Sequence, residues 1–401
     1  MTDNINFNGE PFLCQDHNLS DNIIMASDNY VIDGTDPHLV NLYHGKLYDI
    51  IGQEETARKV SFLIFQYTHA ASRMRRWLGS LSALAPLNVA RTYCVSPVKA
   101  LISRPYMYIG SVQIRIQATQ RVVDKPCLII DQVSAQTFDA WNSSALNEED
   151  LTLFFRSLFS AVSMFHQDGK YFGNIRAGIR ISGNLPTLAF PAVFEAIQCE
   201  QGIRNDLKEL HKMVLESKVS GACERKLFDE LCQKYVGNHG SSAFLRDESF
   251  LITHCPVVWT SSDRYNFIRK LGEYRDFNKR YYESLVSDTL EQAIPIDFWT
   301  RIQTATPSSS ASKLQRLYYH DNADTRTYLS TESIRHFHRC GYEHKTPGYP
   351  SNLDMEKLLY SVFPEAPAFL YEMMINKLYV RGHMMPSIIN FLQIGPYKFN
   401  F

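Results

Sequence analysis

Between Tyr328 and Lys345 the chain reads YLSTESIRHFHRCGYEHK, which gathers His336, His338, His344, Arg335, Arg339, Cys340, Tyr328 and Tyr342 into one short stretch. An imidazole titrates near neutral pH and can pass protons in either direction. A guanidinium fork can hold a phosphate and steady the charge that develops on it. These residue types suit acid–base cleavage of RNA, phosphate recognition or metal binding, and they equally suit a solvated helix face. On a helix His336, Cys340 and His344 share a face at i, i+4 and i+8. The outer two are then about 12 Å apart along the axis. Zinc–ligand bonds are about 2.0–2.3 Å, so one ion takes one adjacent pair and not all three. On a strand His336, His338 and Cys340 would share a face instead. Arg335, Arg339 and Lys345 give the stretch a basic cast suited to phosphate.

The bulk composition narrows the choice. The 401 residues allow two or three domains, and the 45% hydrophobic fraction is enough to bury a core. Lys+Arg and Asp+Glu number 41 and 42, a net charge of −1, so no global field draws nucleic acid and any RNA contact needs a local patch. The densest basic run, Arg73, Arg75 and Arg76, reads as a solvated helix face. Eight cysteines at irregular spacing, with no Cys-x-x-Cys, read as reduced thiols and predict a cytoplasmic or nuclear protein. The polar N-terminus lacks a signal-peptide pattern, and no apolar run predicts a membrane span. Gly-x-x-x-x-Gly-Lys-Ser/Thr, Gly-x-Gly-x-x-Gly, Gly-x-Ser-x-Gly and His-Glu-x-x-His are all missing, which removes support for the chemistries they carry.

Several elements must position any site. Residues 1–27 are polar and weakly patterned, which predicts a flexible arm. From 28 to 135 short apolar runs alternate with turns. Val112, Ile114 and Ile116 alternate with Gln113, Arg115 and Gln117 as in a strand, PCLIIDQV reads as another strand, and a helix is expected around ETARKVSFLIFQYTHAASRMRRWLGSL. The clearest helix is NEEDLTLFFRSLFSAVSMFHQDG, with an apolar stripe from Leu151 to Phe165, Asn147 as N-cap and Gly169 as C-cap. A further helix begins near Asn205 and Asp206. Helices return after 241, including a stripe of Tyr265, Ile268, Leu271 and Tyr274 and a pair broken near Pro364.

SLFSAVSMFHQDGKYFGNIRAGIRISGNLPTLAFP resembles the middle of a protein-kinase domain, where a buried helix ends in a His near a Gly before the catalytic loop. On that frame the His-Arg-Asp loop falls on Phe172, Gly173 and Asn174. The metal-binding Asn falls on Ile179, and the Asp-Phe-Gly turn on Ala189, Phe190 and Pro191. Asp206 matches the structural aspartate that opens the next helix. Phosphoryl transfer needs an aspartate to orient the hydroxyl and an Asp and an Asn to hold magnesium. An amide at 174, an isoleucine at 179 and an alanine at 189 supply none of this. There is no clear Gly-rich loop, and Lys59 is only a stand-in for the strand lysine. The resemblance is therefore to a pseudokinase.

ITHCPVVWTSSDRYNFIRKLGEYRDF, with His254, Pro256 and Trp259, then Trp299, the opening stretch and Phe363–Pro364, resembles in order the kinase-extension nuclease domain. That domain is shared by the unfolded-protein-response sensor kinases and RNase L. The resemblance implies catalytic roles for Tyr328, Arg339 and His344: a proton acceptor or hydrogen-bond donor, a phosphate clamp and a proton donor to the leaving 5′-oxygen. The family's Asn beside the Arg is Cys340 here, a weaker hydrogen-bonding group. The expected fold is α+β, a protein-kinase-like two-lobed domain followed by an all-α kinase-extension-type domain. It divides into an arm at 1–27, a degenerate N-lobe at 28–135, a degenerate C-lobe at 136–240, a helical RNase domain at 241–385 and a tail at 386–401. The expected function is metal-independent endoribonuclease cleavage by 2′-hydroxyl attack, with no cofactor required. The alternative is a catalytically inactive scaffold for protein or RNA. RNA and a homodimer are the expected partners, with no membrane and no DNA. Nucleotide binding is left open.

Overall fold

The computed structural model describes residues 12–13, 23–30, 39–47, 58–65, 68–85, 109–116, 121–134, 136–144, 147–190, 199–217, 219, 221–236, 245–267, 294–295, 301, 304–305, 328–329 and 351–375. The chain forms two compact units, Met1–Met213 and Val214–Phe401.

An antiparallel sheet opens the first unit. Its strands are β1 (Phe12–Leu13), β2 (Ile23–Tyr30), β3 (Leu39–Leu47), β4 (Arg58–Phe65), β5 (Ile109–Ile116) and β6 (Arg121–Asp131), in the order β1-β2-β3-β4-β6-β5. Two expectations are corrected here. The arm at 1–27 contributes backbone to the sheet, because β1 pairs with β2, Phe12 opposite Ile24. Short apolar runs separated by polar residues can add an edge pair even where the overall composition looks loose. The helix expected around Glu55–Leu81 divides, with Arg58–Phe65 as strand β4 and only Thr68–Ser82 as helix α1. Val, Ile and Phe crowd the first part and favour a pleated surface, whereas the second is rich in Ala, Arg, Met and Leu. Helix α1 packs on β4, β5 and β6 through its buried stripe of Ala70, Ala71, Met74, Leu78 and Leu81, with Arg73 and Arg76 in solvent.

Helix α2 (Phe138–Asn142) and helix α3 (Glu148–Gln167) follow. Asn147 caps α3 by accepting from the Asp150 N–H at 2.7 Å, and Glu148, Glu149 and Asp150 complement the positive helix start. The far end closes as a Schellman motif. Lys170 N–H donates to Phe165 O at 2.7 Å and Gly169 N–H to His166 O at 3.0 Å, with Gly169 left-handed at φ 71°. From Ser157 to Ser163 every residue of α3 is buried, so the helix runs through a core and not along a surface. Phe138, Phe154 and Phe155 meet in stacked and edge-on contacts with centroids 5.1–6.2 Å apart, each buried ring contributing about 1.5–3 kcal/mol. Beyond α3 come helix α4 (Ile175–Gly178), the hairpin of β7 (Ile179–Ser182) and β8 (Leu185–Leu188), and helix α5 (Cys199–Glu216), within which the two units divide.

The second unit is mainly helical among its described residues, with α6 (Ala222–Val236), α7 (Leu245–Thr253), a 3-10 turn at Pro256–Val258, α8 (Asn352–Val362) and α9 (Ala366–Met374). Ser351 and Asp354 form a reciprocal capping box at the start of α8. The chain breaks at Phe363–Pro364, since proline cannot continue α8. The expectation of an all-α segment at 241–385 is corrected locally. β9 (Ile294–Pro295) and β10 (Tyr328–Leu329) form a two-residue antiparallel ladder, Tyr328 opposite Pro295. A proline tolerates such an edge because one missing N–H breaks little of so short a ladder. Among the described residues no helix is long and apolar enough to cross a membrane.

Candidate functional site

The loop that the sequence singled out is built around one buried carboxylate. After α3 the chain passes through Tyr171, Phe172 and Gly173 into α4. Phe172 N–H donates to Asp206 Oδ2 at 2.7 Å and Gly173 N–H to Asp206 Oδ1 at 2.6 Å. His166 Nε2, from the last turn of α3, lies 3.1 Å from Asp206 Oδ2, and both side chains are fully buried. A carboxylate can only accept here, so Nε2 carries the proton. Three donors separated by 33 to 40 residues from Asp206 therefore converge on one side chain. Gly173 sits at φ 84°, a backbone conformation other residues adopt only with strain.

Helix α5 starts earlier than the sequence suggests, at Cys199, so Asp206 lies inside the helix and not at its opening. The apolar stripe Ile203, Leu207, Leu210 and Met213 carries the helix and buries the same side as Asp206. Gly202 permits close approach, because a Cβ there would lie 2.3 Å from the Tyr171 ring. One turn after Asp206, Glu209 accepts from Arg176 N–H at 2.9 Å and caps α4 from a distance. Burial, partly offset by this bond, pushes the Glu209 carboxyl upward. The Arg176 guanidinium pairs with Asp139.

The positions that the kinase resemblance marks as degenerate lie around this hub. Phe172 is fully buried and Gly173 and Asn174 are partly buried. Asn174 Nδ2 donates to Phe190 O at 3.4 Å. Ile179 and Ala189 are fully buried with apolar side chains, so neither can ligate a metal or polarise a hydroxyl. Gly178 holds the loop against the 189–190 turn, its carbonyl accepting from Ala189 N–H at 2.9 Å and Phe190 N–H at 3.2 Å. A Cβ on Gly178 would fall 2.5 Å from both Phe172 and the Phe190 carbonyl. The arrangement holds backbone firmly and offers no proton acceptor at Asn174. Lys59 is on β4, and the helix that follows, α1, contains no Asp or Glu with which a lysine could pair.

Tyr328 lies in β10, but Arg339, Cys340 and His344 lie outside the described residues, as do His336 and His338. The entry segment to the second unit is described. His254 stacks on Phe250 with ring centroids 3.8 Å apart and uses Nδ1 toward Phe250 O at 2.9 Å. Burial pushes its imidazole down to about 4. Trp259 Nε1–H donates to the His254 carbonyl at 3.0 Å, and its ring packs on Phe267 and Tyr371. His254 is thus a neutral core histidine.

Two charged features escaped the sequence reading. Arg180 is buried in β7, where a cation between Ile179 and Ile181 in an apolar strand was the available signal. Glu356 on α8, 1% exposed, accepts from Arg264 Nε at 2.5 Å, while Arg264 stacks on Tyr360 at 3.8 Å. The second carboxylate oxygen of Glu356 has no hydrogen-bond partner among the described residues, and Glu356 lines a small pocket with Trp259, Phe267 and Leu370. Nothing in the sequence paired residues 264 and 356. No protein-family model matches the chain, and no curated protein sequence matches it.

Proposed function

We propose that the chain couples a kinase-like part that transfers no phosphoryl group to a C-terminal part that cleaves RNA without metal. The observation that carries the first half is the Asp206 hub. A loop in the place of a catalytic loop is held through its backbone by a buried carboxylate, yet it presents an amide at Asn174 and apolar side chains at Ile179 and Ala189. Retained scaffolding without acidic side chains at positions 174, 179 and 189 favours a structural or binding role for this part.

The second half is carried by the sequence. The RNA 2′-oxygen attacks the adjacent phosphorus, the bond from phosphorus to the 5′-oxygen breaks, and a 2′,3′-cyclic phosphate is left. Tyr328 takes or orients the 2′-hydroxyl proton, Arg339 holds the phosphate, and His344 protonates the departing 5′-oxygen. Assembly as a homodimer brings the part into its working state. The test is incubation of the full chain with a stem-loop RNA in chelator. Cleavage with cyclic-phosphate ends that falls by about 10²–10⁴-fold in His344→Ala supports the reading. Cleavage that survives the substitution, or that needs a divalent metal, overturns it. A second reading is favoured by Cys340, whose thiol replaces the family's amide. A binding scaffold predicts RNA retention without cleavage at concentrations where the chain dimerises.

A further inference from the structure

Arg180 carries a buried charge that has no counter-ion among the described residues. It is 5% exposed. Its Nη1 donates to Ala177 O at 2.8 Å and Ile179 O at 2.7 Å, and its guanidinium carbon lies 4.6 Å from the Phe190 ring centroid. Several described carboxylates of the first unit are engaged elsewhere. Asp206 holds His166 and two backbone N–H groups, Glu209 holds Arg176 N–H, Asp139 pairs with the Arg176 side chain, and Asp150 accepts from Asn184. No ion pair joins Arg180 to any described residue, and no hydrogen bond is made by its Nε or Nη2.

Buried charges are ordinarily paired, because desolvation is too costly to leave uncompensated. Two carbonyl dipoles and one aromatic face offset only part of this. With Nη1 committed, the Nε–Nη2 edge remains, and that edge matches two oxygens of one oxyanion. We propose that Arg180 forms an anion site beside the Phe190 turn, and that its ligand is a phosphate group, free or carried by a nucleotide. Burial lowers the guanidinium to about 10, so it stays charged at neutral pH. The choice of phosphate rests on the kinase-like reading above, whereas the anion site rests on the geometry.

The test uses the full chain in chelator at constant ionic strength. Thermal unfolding is followed with inorganic phosphate, ADP, acetate or chloride. A midpoint that rises with phosphate and ADP but not with acetate or chloride, and stays fixed in Arg180→Met, is the expected result. ADP acting at about tenfold lower concentration than inorganic phosphate identifies the nucleotide source, and equal potency identifies free phosphate. No phosphate-specific shift in the wild type, an equal shift with acetate, or the same shift in Arg180→Met overturns the proposal. Should Arg180→Met fail to fold, Arg180→Lys keeps the charge without the fork and is expected to weaken phosphate binding about tenfold; undiminished binding overturns the proposal. No RNA enters the assay, so its failure is distinguishable from failure of the RNA-cleavage reading, which is scored on His344→Ala.

Discussion

Replacing Asp206 by alanine tests the hub most directly. The side chain accepts from Phe172 N–H at 2.7 Å, from Gly173 N–H at 2.6 Å and from His166 Nε2 at 3.1 Å. Its removal leaves three donors facing a cavity in the core. A buried donor left unsatisfied costs about 1–3 kcal/mol, and breaking a buried charged cluster costs about 3–5 kcal/mol in total. Water entering the cavity returns part of this, so about 3–5 kcal/mol is the expected loss. For a unit of this size, 1 kcal/mol moves a melting midpoint by about 2–4 °C, so the first unit is expected to melt roughly 6–20 °C lower. Asp206→Asn should lose less but still about 2 kcal/mol, because one amide group must turn its own donors toward the loop. Melting of a two-unit chain need not be a single transition. Amide hydrogen exchange of the 171–175 segment therefore serves as the second readout, and both loop amides should lose protection in the alanine variant. Unchanged exchange there with a loss under about 1 kcal/mol would refute the claim that Asp206 holds the loop.

His254 makes a pH prediction. Its imidazole is held down to about 4 in the folded chain and returns to about 6.5 when unfolded. The unfolded state therefore binds the extra proton between these values, and stability is fully present above about pH 6.5 and falls toward pH 4. The total loss is about 3 kcal/mol. Urea titrations at pH 7.5 and 4.5 compared with those of His254→Phe check this, since the variant should lose that slope. Arg264→Met should destabilise the second unit by about 3–5 kcal/mol by stranding Glu356, while Arg264→Met with Glu356→Leu should recover most of the loss. Denaturation of both variants decides it, and a double variant as unstable as the single one would show that the ion pair is not the cause.

Much of the local structure was legible in the sequence. Helix α3 could be read from its stripe, Asn147 and Gly169, because helix faces and caps depend on residues three to five apart. The break at Pro364 and the solvated Arg73 and Arg76 follow from equally local chemistry. Strand β4 was misread because an apolar run followed closely by a helix shows no boundary until the run pairs with β3 and β6. The candidate hub was half legible. Asp206 could be named, but its place inside α5 follows from a helix start at Cys199. Its three donors come together only by packing across more than 30 residues. The same holds for Arg180, where strand alternation says nothing about whether a counter-charge arrives, and for Arg264 and Glu356, 92 residues apart. Sequence determined which segments could be helix or strand and which positions carry no acidic side chain, since these depend on side-chain identity and short spacing. Tertiary structure alone decided which buried charges are satisfied, because desolvation and pairing are properties of surroundings that the chain assembles only on folding.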